Sequence, residues 1–107
     1  MGLASLFKKP AVDINWFPAL LGEAKGSVLA DVREADEFAR GHVPGSINWP
    51  LSRLEEACVQ GATAAPVYVY CQTGRRSLQA ALRLKQLGFS RVTDLGGIGR
   101  YRGTLEK

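Results

Sequence analysis

The sequence predicts an α/β domain: a central parallel sheet of about five strands with helices on both faces. Three observations carry this. Val67-Tyr68-Val69-Tyr70 is an unbroken β-branched and aromatic run of the kind buried parallel strands show. The segment from Leu78 to Leu87 is rich in Leu, Ala, Gln, Arg and Lys and stops at Gly88, which reads as a helix with a glycine terminator. Segments of these two kinds alternate along the whole chain, and alternation within one domain is the mark of a parallel sheet.

Taken in order, Met1 to Pro10 is a loosely held lead-in, and Val12-Asp13-Ile14 is a short first strand. Asn15 is positioned to cap a helix running to Lys25, with Pro18 in the first turn, where proline is tolerated. Gly26-Ser27 breaks that helix, and Ser27 to Asp31 is a strand leading into Val32-Arg33. Glu34 to Arg40 fits a short helix stopped by Gly41, and Gly41-His42-Val43-Pro44-Gly45 is turn chemistry. Ser46 to Trp49 is a brief strand closed by Pro50. Ser52 can cap a helix of Arg53 to Cys58, with Glu55 as its capping-box partner. Gln60 to Pro66 is a loop of small residues before the central strand. Ser90 to Leu95 is the last strand, followed by the glycine pair Gly96-Gly97 and a carboxyl segment carrying Tyr101.

The 107 residues make one domain with a single core, and 46% hydrophobic with 22% charged residues is ordinary for a soluble globular protein. No apolar run is long enough to span a bilayer. The amino terminus matches neither a secretory signal nor the myristoylation pattern, so a cytoplasmic location is expected. Cys58 and Cys71 give neither a metal-ligand spacing nor a disulfide framework, and with His42 as the lone imidazole no metal site is expected. The net charge of +4 is scattered, without a basic stripe interleaved with aromatics, which argues against nucleic acid and for attraction of small anions. No heptad or broad apolar stripe calls for a partner subunit, so a monomer is the default.

The chemistry gathers at Cys71-Gln72-Thr73-Gly74-Arg75-Arg76-Ser77, between the central strand and its helix. A strand-to-helix turn aims free backbone N–H groups at one spot and adds the positive end of the helix dipole. A thiol there should lose its proton early, because its thiolate is an anion favoured by those donors and by Arg75 and Arg76. Ligands of parallel sheets bind outside the carboxyl ends of the strands, where Cys71 falls.

These residues resemble the single-domain rhodaneses, thiosulfate:acceptor sulfurtransferases. The likeness runs from about Asn15 to Gly103 through Asp31-Val32-Arg33, Glu37-Phe38, Gly41 to Asn48 with Pro50, Tyr70 to Ser77, and Asp94-Leu95-Gly96-Gly97. The Cys-x-x-Gly-Arg-x-Ser form is similar to that of the small phage-shock sulfurtransferases. Tyr101 stands near where many members carry Trp. The resemblance implies a ping-pong reaction without a cofactor. Cys71 takes the outer sulfur of a small anionic donor such as thiosulfate as a persulfide, and a thiol, cyanide or a protein thiol then accepts it. A sulfur-relay module serving a protein partner is the alternative. Related cysteine phosphatases place Arg six positions after the cysteine, where this chain has Ser77, so phosphatase and arsenate reductase rank lower.

Within the loop, Cys71 is the expected nucleophile, Arg75 the arginine expected to face the substrate, and Gly74 a structural turn residue. Gln72, Thr73, Arg76 and Ser77 complete the expected anion site, Ser77 capping the helix or donating to the sulfur. Asp31 and Arg33 are expected to form a structural pair bracing the loop rather than an acid and a base. His42 reads as a packing residue and Cys58 as a small buried one, with a resolving role for Cys58 the lesser alternative. Trp16, Phe17, Phe38 and Trp49 read as packing aromatics.

Overall fold

The computed structural model describes residues 13–16, 26–59 and 61–107. The strands are β1 (Val28–Asp31), β2 (Ile47–Asn48), β3 (Val67–Cys71) and β4 (Val92–Gly97). The α-helices are α1 (Ala35–Arg40), α2 (Leu54–Cys58) and α3 (Arg75–Gln86). Short 3-10 turns cover Ile14–Trp16, Leu51–Arg53 and Ile98–Arg100. The strands form one parallel sheet in the order β2-β1-β3-β4. The central strand is β3, as its unbroken apolar run requires, since both of its faces are covered. Val67, Val69 and Cys71 point into one core with Ala80, Ala81 and Leu84 of α3 and with Leu54 and Cys58 of α2. Tyr68 and Tyr70 point into the other, with Ile14, Val43, Leu95 and Ile98. That division is the period-2 alternation of a strand.

Among the described residues the sheet has four strands, where about five were expected. Of the segment expected as the first strand, Val12 lies outside the described residues, and Asp13 leads into a 3-10 turn at Ile14–Trp16. The cause is local polar chemistry. Asp13 Oδ1 accepts hydrogen bonds from the backbone N–H and the side-chain amide of Asn15, each at 2.8 Å, a turn-forming pattern that competes with strand pairing. Asn15 therefore sits inside the turn. Its side chain joins the carboxyl segment, donating to Arg100 O at 2.8 Å and accepting from Arg102 N–H at 2.7 Å. The expected helix from there to Lys25 and the lead-in to Pro10 lie outside the described residues, as does Phe17. On that second face the described cover consists of the 3-10 turns at Ile14–Trp16 and Ile98–Arg100, packed on each other.

The capping box is also displaced. Ser52 lies in the 3-10 turn before α2 and donates to Glu34 Oε1 at 2.6 Å, so it does not cap that helix. The reciprocal pattern occurs at α1, where Glu34 is the N-cap residue and Glu37 returns a bond to the Glu34 N–H at 3.0 Å. No helix among the described residues is long and apolar enough to cross a membrane.

Candidate active site

Cys71 ends β3 and is buried. Its Sγ accepts a hydrogen bond from the Gly74 N–H at 2.9 Å, so the chain bends back on the sulfur within three residues. Gly74 makes the bend possible with φ +100°, left-handed backbone that side chains rarely adopt. Arg75, Arg76 and Ser77 then begin α3, whose first N–H groups have no acceptor within the helix and lie at its positive end. The carbonyl of Gly74 closes the turn, accepting from Leu78 N–H at 3.3 Å and from Ser77 Oγ at 3.1 Å. The hydroxyl of Ser77 is thus spent on the Gly74 carbonyl; Gly74 itself is the N-cap residue, so Ser77 lies inside the first turn and does not cap the helix. Gln72 and Thr73 stand at the surface of the loop.

The register between β3 and β4 slips after Val69, which pairs with Asp94, whereas Tyr70 pairs with Gly96 and Cys71 with Gly97. A bulge of this kind re-aims the strand beside a site. Here it brings two glycines against the loop. A Cβ on Gly97 would fall 2.7 Å from Gln72 O and 3.1 Å from Thr73 Cα, both backbone atoms with little freedom to move. Gly97→Ala is therefore expected to push the loop off the sulfur and cost about 1–3 kcal/mol, the usual range for overpacking. Denaturant unfolding and the alkylation rate of Cys71 would register it. A variant of native stability and native reactivity would show that the loop tolerates the displacement. Sequence reasoning noted the glycine pair without this role, and its only signal was two adjacent glycines at the end of a strand.

Asp31 and Arg33 come together as the expected bracing pair. Asp31 is fully buried and Arg33 nearly so. The guanidinium clamps the carboxylate through Nε at 3.0 Å to both oxygens and through Nη2 at 2.7 Å to Oδ2, and the Arg33 N–H adds a bond at 2.9 Å. The remaining guanidinium donors reach outward. Nη2 bonds Gly41 O at 2.7 Å and Nη1 bonds Gln72 Oε1 at 3.2 Å, which ties the residue after the cysteine to the turn after α1. Burial works against the charge of Arg33, but the bonds to Asp31 and its charge outweigh that and hold the guanidinium ionised. Tyr70 lies beneath, its ring 5.9 Å from the guanidinium. The tyrosine hydroxyl accepts from Val43 N–H at 3.0 Å and shares a bond with Ser46 Oγ at 3.1 Å. Burial pushes its pKa well above the usual tyrosine range.

The two arginines of the loop part company. Arg75 is exposed and forms no ion pair with any described residue. Arg76 lays both terminal nitrogens on the carboxylate of Glu37, at 2.6 and 2.9 Å, and so links α3 to α1. Sequence reasoning grouped Arg76 with the anion site and missed Glu37 as its partner, because the two lie 39 residues apart. The available signal was that a pair of arginines at a helix amino terminus needs a negative counterpart. The Arg76 bonds hold the Glu37 carboxyl down at about 2, against an ordinary value of 4.5. A depressed carboxyl contributes stability that is present above its unfolded value and lost as pH falls through the folded one. The stability difference between the native chain and Glu37→Gln should therefore be constant above about 4.5 and shrink between there and about 2, as denaturant midpoints across that range would report. A pH-independent difference would show that the pair does not hold in solution.

Cys58 belongs elsewhere. It is buried at the end of α2, where burial pushes its thiol pKa up, and it lines a cavity of about 270 Å³ with Leu87 and Phe89. Those residues follow the far end of α3, a helix of 12 residues and so about 18 Å from its start at the Cys71 loop. A resolving role for Cys58 does not fit that placement. His42 stacks on Phe38 with ring centres 3.7 Å apart, and its Nδ1 lies 2.9 Å from Phe38 O, the arrangement of a packing residue.

A family model described as a rhodanese-like domain matches residues 13–103. The chain is 40% identical over 73 residues to the thiosulfate sulfurtransferase PspE of Escherichia coli (strain K12), an alignment covering 64% of this chain and 67% of PspE. It is 32% identical over 112 residues to the thiosulfate:glutathione sulfurtransferase of Homo sapiens, covering 92% and 95% of the two chains. A solved structure described as a rhodanese with anions from E. coli superposes with a TM-score of 0.69 at 31% identity, covering 76% of this chain and 98% of that one. The chain spans 63, 53 and 61% of the length of three longer relatives, among them YqhL of Bacillus subtilis, 40% identical over 79 residues, or 73% of this chain.

Proposed function

This chain belongs to the rhodanese-like family, and from that membership we propose that it is a sulfurtransferase whose sulfur carrier is Cys71. In this reading the Cys71 thiolate attacks the outer sulfur of thiosulfate or a similar small anionic donor. A bond forms between Sγ and that sulfur, the donor's S–S bond breaks with its electron pair, and sulfite departs, leaving a Cys71 persulfide. A thiol, cyanide or a protein thiol then takes the outer sulfur and returns Cys71 to the thiolate. No cofactor or metal enters this scheme. The enzyme would act as a monomer in the cytoplasm.

The observation that carries the reading is the position of Sγ, at the carboxyl end of the central strand and 2.9 Å from the Gly74 N–H at the head of α3. Preorganised N–H donors favour the negative sulfur at each stage, because the thiolate, the persulfide and the departing sulfite are all anions. Arg75, exposed and without an ion partner among the described residues, is the cation assigned to the incoming donor. Arg76 serves that site through its hold on Glu37. The loop also argues against phosphate chemistry, since the sixth position after Cys71 is Ser77, whose hydroxyl already bonds Gly74 O at 3.1 Å.

Intact mass after incubation with thiosulfate tests the proposal. A gain of one sulfur atom that cyanide removes is the expected result. A chain that gains no sulfur while Cys71 remains open to alkylation would remove thiosulfate as donor and favour the relay to a protein thiol.

A further inference from the structure

Beside the cysteine loop lies a cleft of about 300 Å³ whose walls include Arg33, Glu37, Arg40, Gln72, Ile98 and Leu105. The carboxyl segment folds back to build one of these walls. His42 N–H donates to Glu106 O and Glu106 N–H donates to His42 O, both at 2.8 Å, an isolated antiparallel bridge. The bridge sets Leu105 against Gly41, where an added Cβ would meet Leu105 Cδ1 at 3.2 Å. Leu105 nevertheless remains 42% exposed, and part of its apolar surface lines the cleft.

The polar groups of the cleft differ in how firmly they are held. Glu37 has both oxygens on Arg76, and Arg33 is locked to Asp31, Gly41 and Gln72. Among the described residues Arg40 pairs with Asp36 alone, one turn back on α1, with side chains 74% and 69% exposed. A solvated pair of that sort exchanges readily for a better anion. Gln72 spends its oxygen on Arg33, which leaves its amide N–H groups free to donate next to Cys71. The cleft thus offers one exchangeable cation, one amide donor and an apolar wall of Ile98 and Leu105.

We propose that this cleft seats the sulfur acceptor, and that the acceptor is a small thiol carrying a carboxylate. The carboxylate pairs with Arg40, the carbon chain lies on Ile98 and Leu105, and the sulfur passes Gln72 to reach the persulfide. The proposal rests on the Cys71 persulfide reading above. In the transfer step the acceptor thiolate attacks the outer sulfur of the persulfide and forms a new S–S bond. The anionic persulfide takes a proton from water before the attack; the bond between that sulfur and Sγ then breaks, its electron pair returns to Sγ, and the proton leaves on the product perthiol. No external oxidant or reductant is required.

The test separates the two half-reactions. Native chain, Arg40→Gln and Leu105→Glu are loaded with thiosulfate, freed of excess donor, and discharged with mercaptopropionate or the uncharged mercaptoethanol at equal thiolate concentration, with intact mass as the readout. Native protein is expected to discharge faster to mercaptopropionate. Arg40→Gln should reduce that preference about tenfold, the scale of a lost charge-assisted hydrogen bond, and Leu105→Glu should reduce it by setting a carboxylate against that of the acceptor, while loading and discharge to mercaptoethanol stay within about twofold. Loading without any preference in the native chain, or a preference unchanged in either variant, overturns the cleft assignment alone. Failure of the native chain to load overturns the sulfur-transfer reading and the acceptor site with it.

Discussion

Cys71→Ala is expected to lower sulfur transfer by about 10³-fold or more, the scale on which loss of a covalent nucleophile shows itself. Nothing else in the loop can carry the sulfur. Ser77 has its hydroxyl on Gly74 O, and Cys58 lies near the far end of α3. The substitution should spare the fold. Cys71 contributes one small side chain to the core shared by β3, α2 and α3, and alanine removes only the sulfur atom. A cost of about 1 kcal/mol follows from losing a buried group of that size. Melting and transfer rate, measured together, separate the roles. A variant that melts within a few degrees of the native chain and takes up no sulfur places the chemistry on Sγ. Retained transfer at a comparable rate would remove Cys71 from the mechanism.

How much of this was legible depends on how local the determining forces are. The loop from Cys71 to Ser77 and the helix after it could be read directly, because a buried strand, a glycine with φ +100° and a Leu- and Ala-rich helix each write their own pattern into adjacent residues. The burial of both faces of β3 was legible for the same reason. Asp13 and Asn15 misled the reading because their side chains outbid strand pairing over only three residues. Ser52 misled it because an isolated S-x-x-E pattern says nothing of the 3-10 turn that precedes α2 or of Glu34 within reach of the hydroxyl. The remaining features are distant in sequence. Glu37 reaches Arg76, Gln72 reaches Arg33, and Leu105 reaches Gly41 only after the sheet has ordered its strands. Asp31 and Arg33 lie between these extremes. Two residues apart, they announce a pair, but their hold on Gln72 and Gly41 appears only in three dimensions.

That pair sets the largest expected effect on stability. Asp31→Ala removes the acceptor of four hydrogen-bonding contacts and leaves the nearly buried Arg33 guanidinium without its counter-charge. Breaking a buried ion pair from one side costs about 3–5 kcal/mol, because the surviving charge stays desolvated. A domain of this size holds only about 5–15 kcal/mol in total, so the variant should be close to unfolding at moderate temperature. Replacing both partners, Asp31→Leu with Arg33→Met, removes the stranded charge and is expected to recover most of the loss, since apolar replacements of buried pairs are often neutral. Sulfur transfer should not recover with it. The double variant still lacks the guanidinium that ties Gln72 to Gly41, so the loop loses its lateral brace while the core regains its stability. Denaturant unfolding and persulfide formation, measured on both variants, divide the two roles. A single variant that loses less than about 1 kcal/mol would mean water or rearrangement screens Arg33. A double variant of native activity would confine the pair to the core.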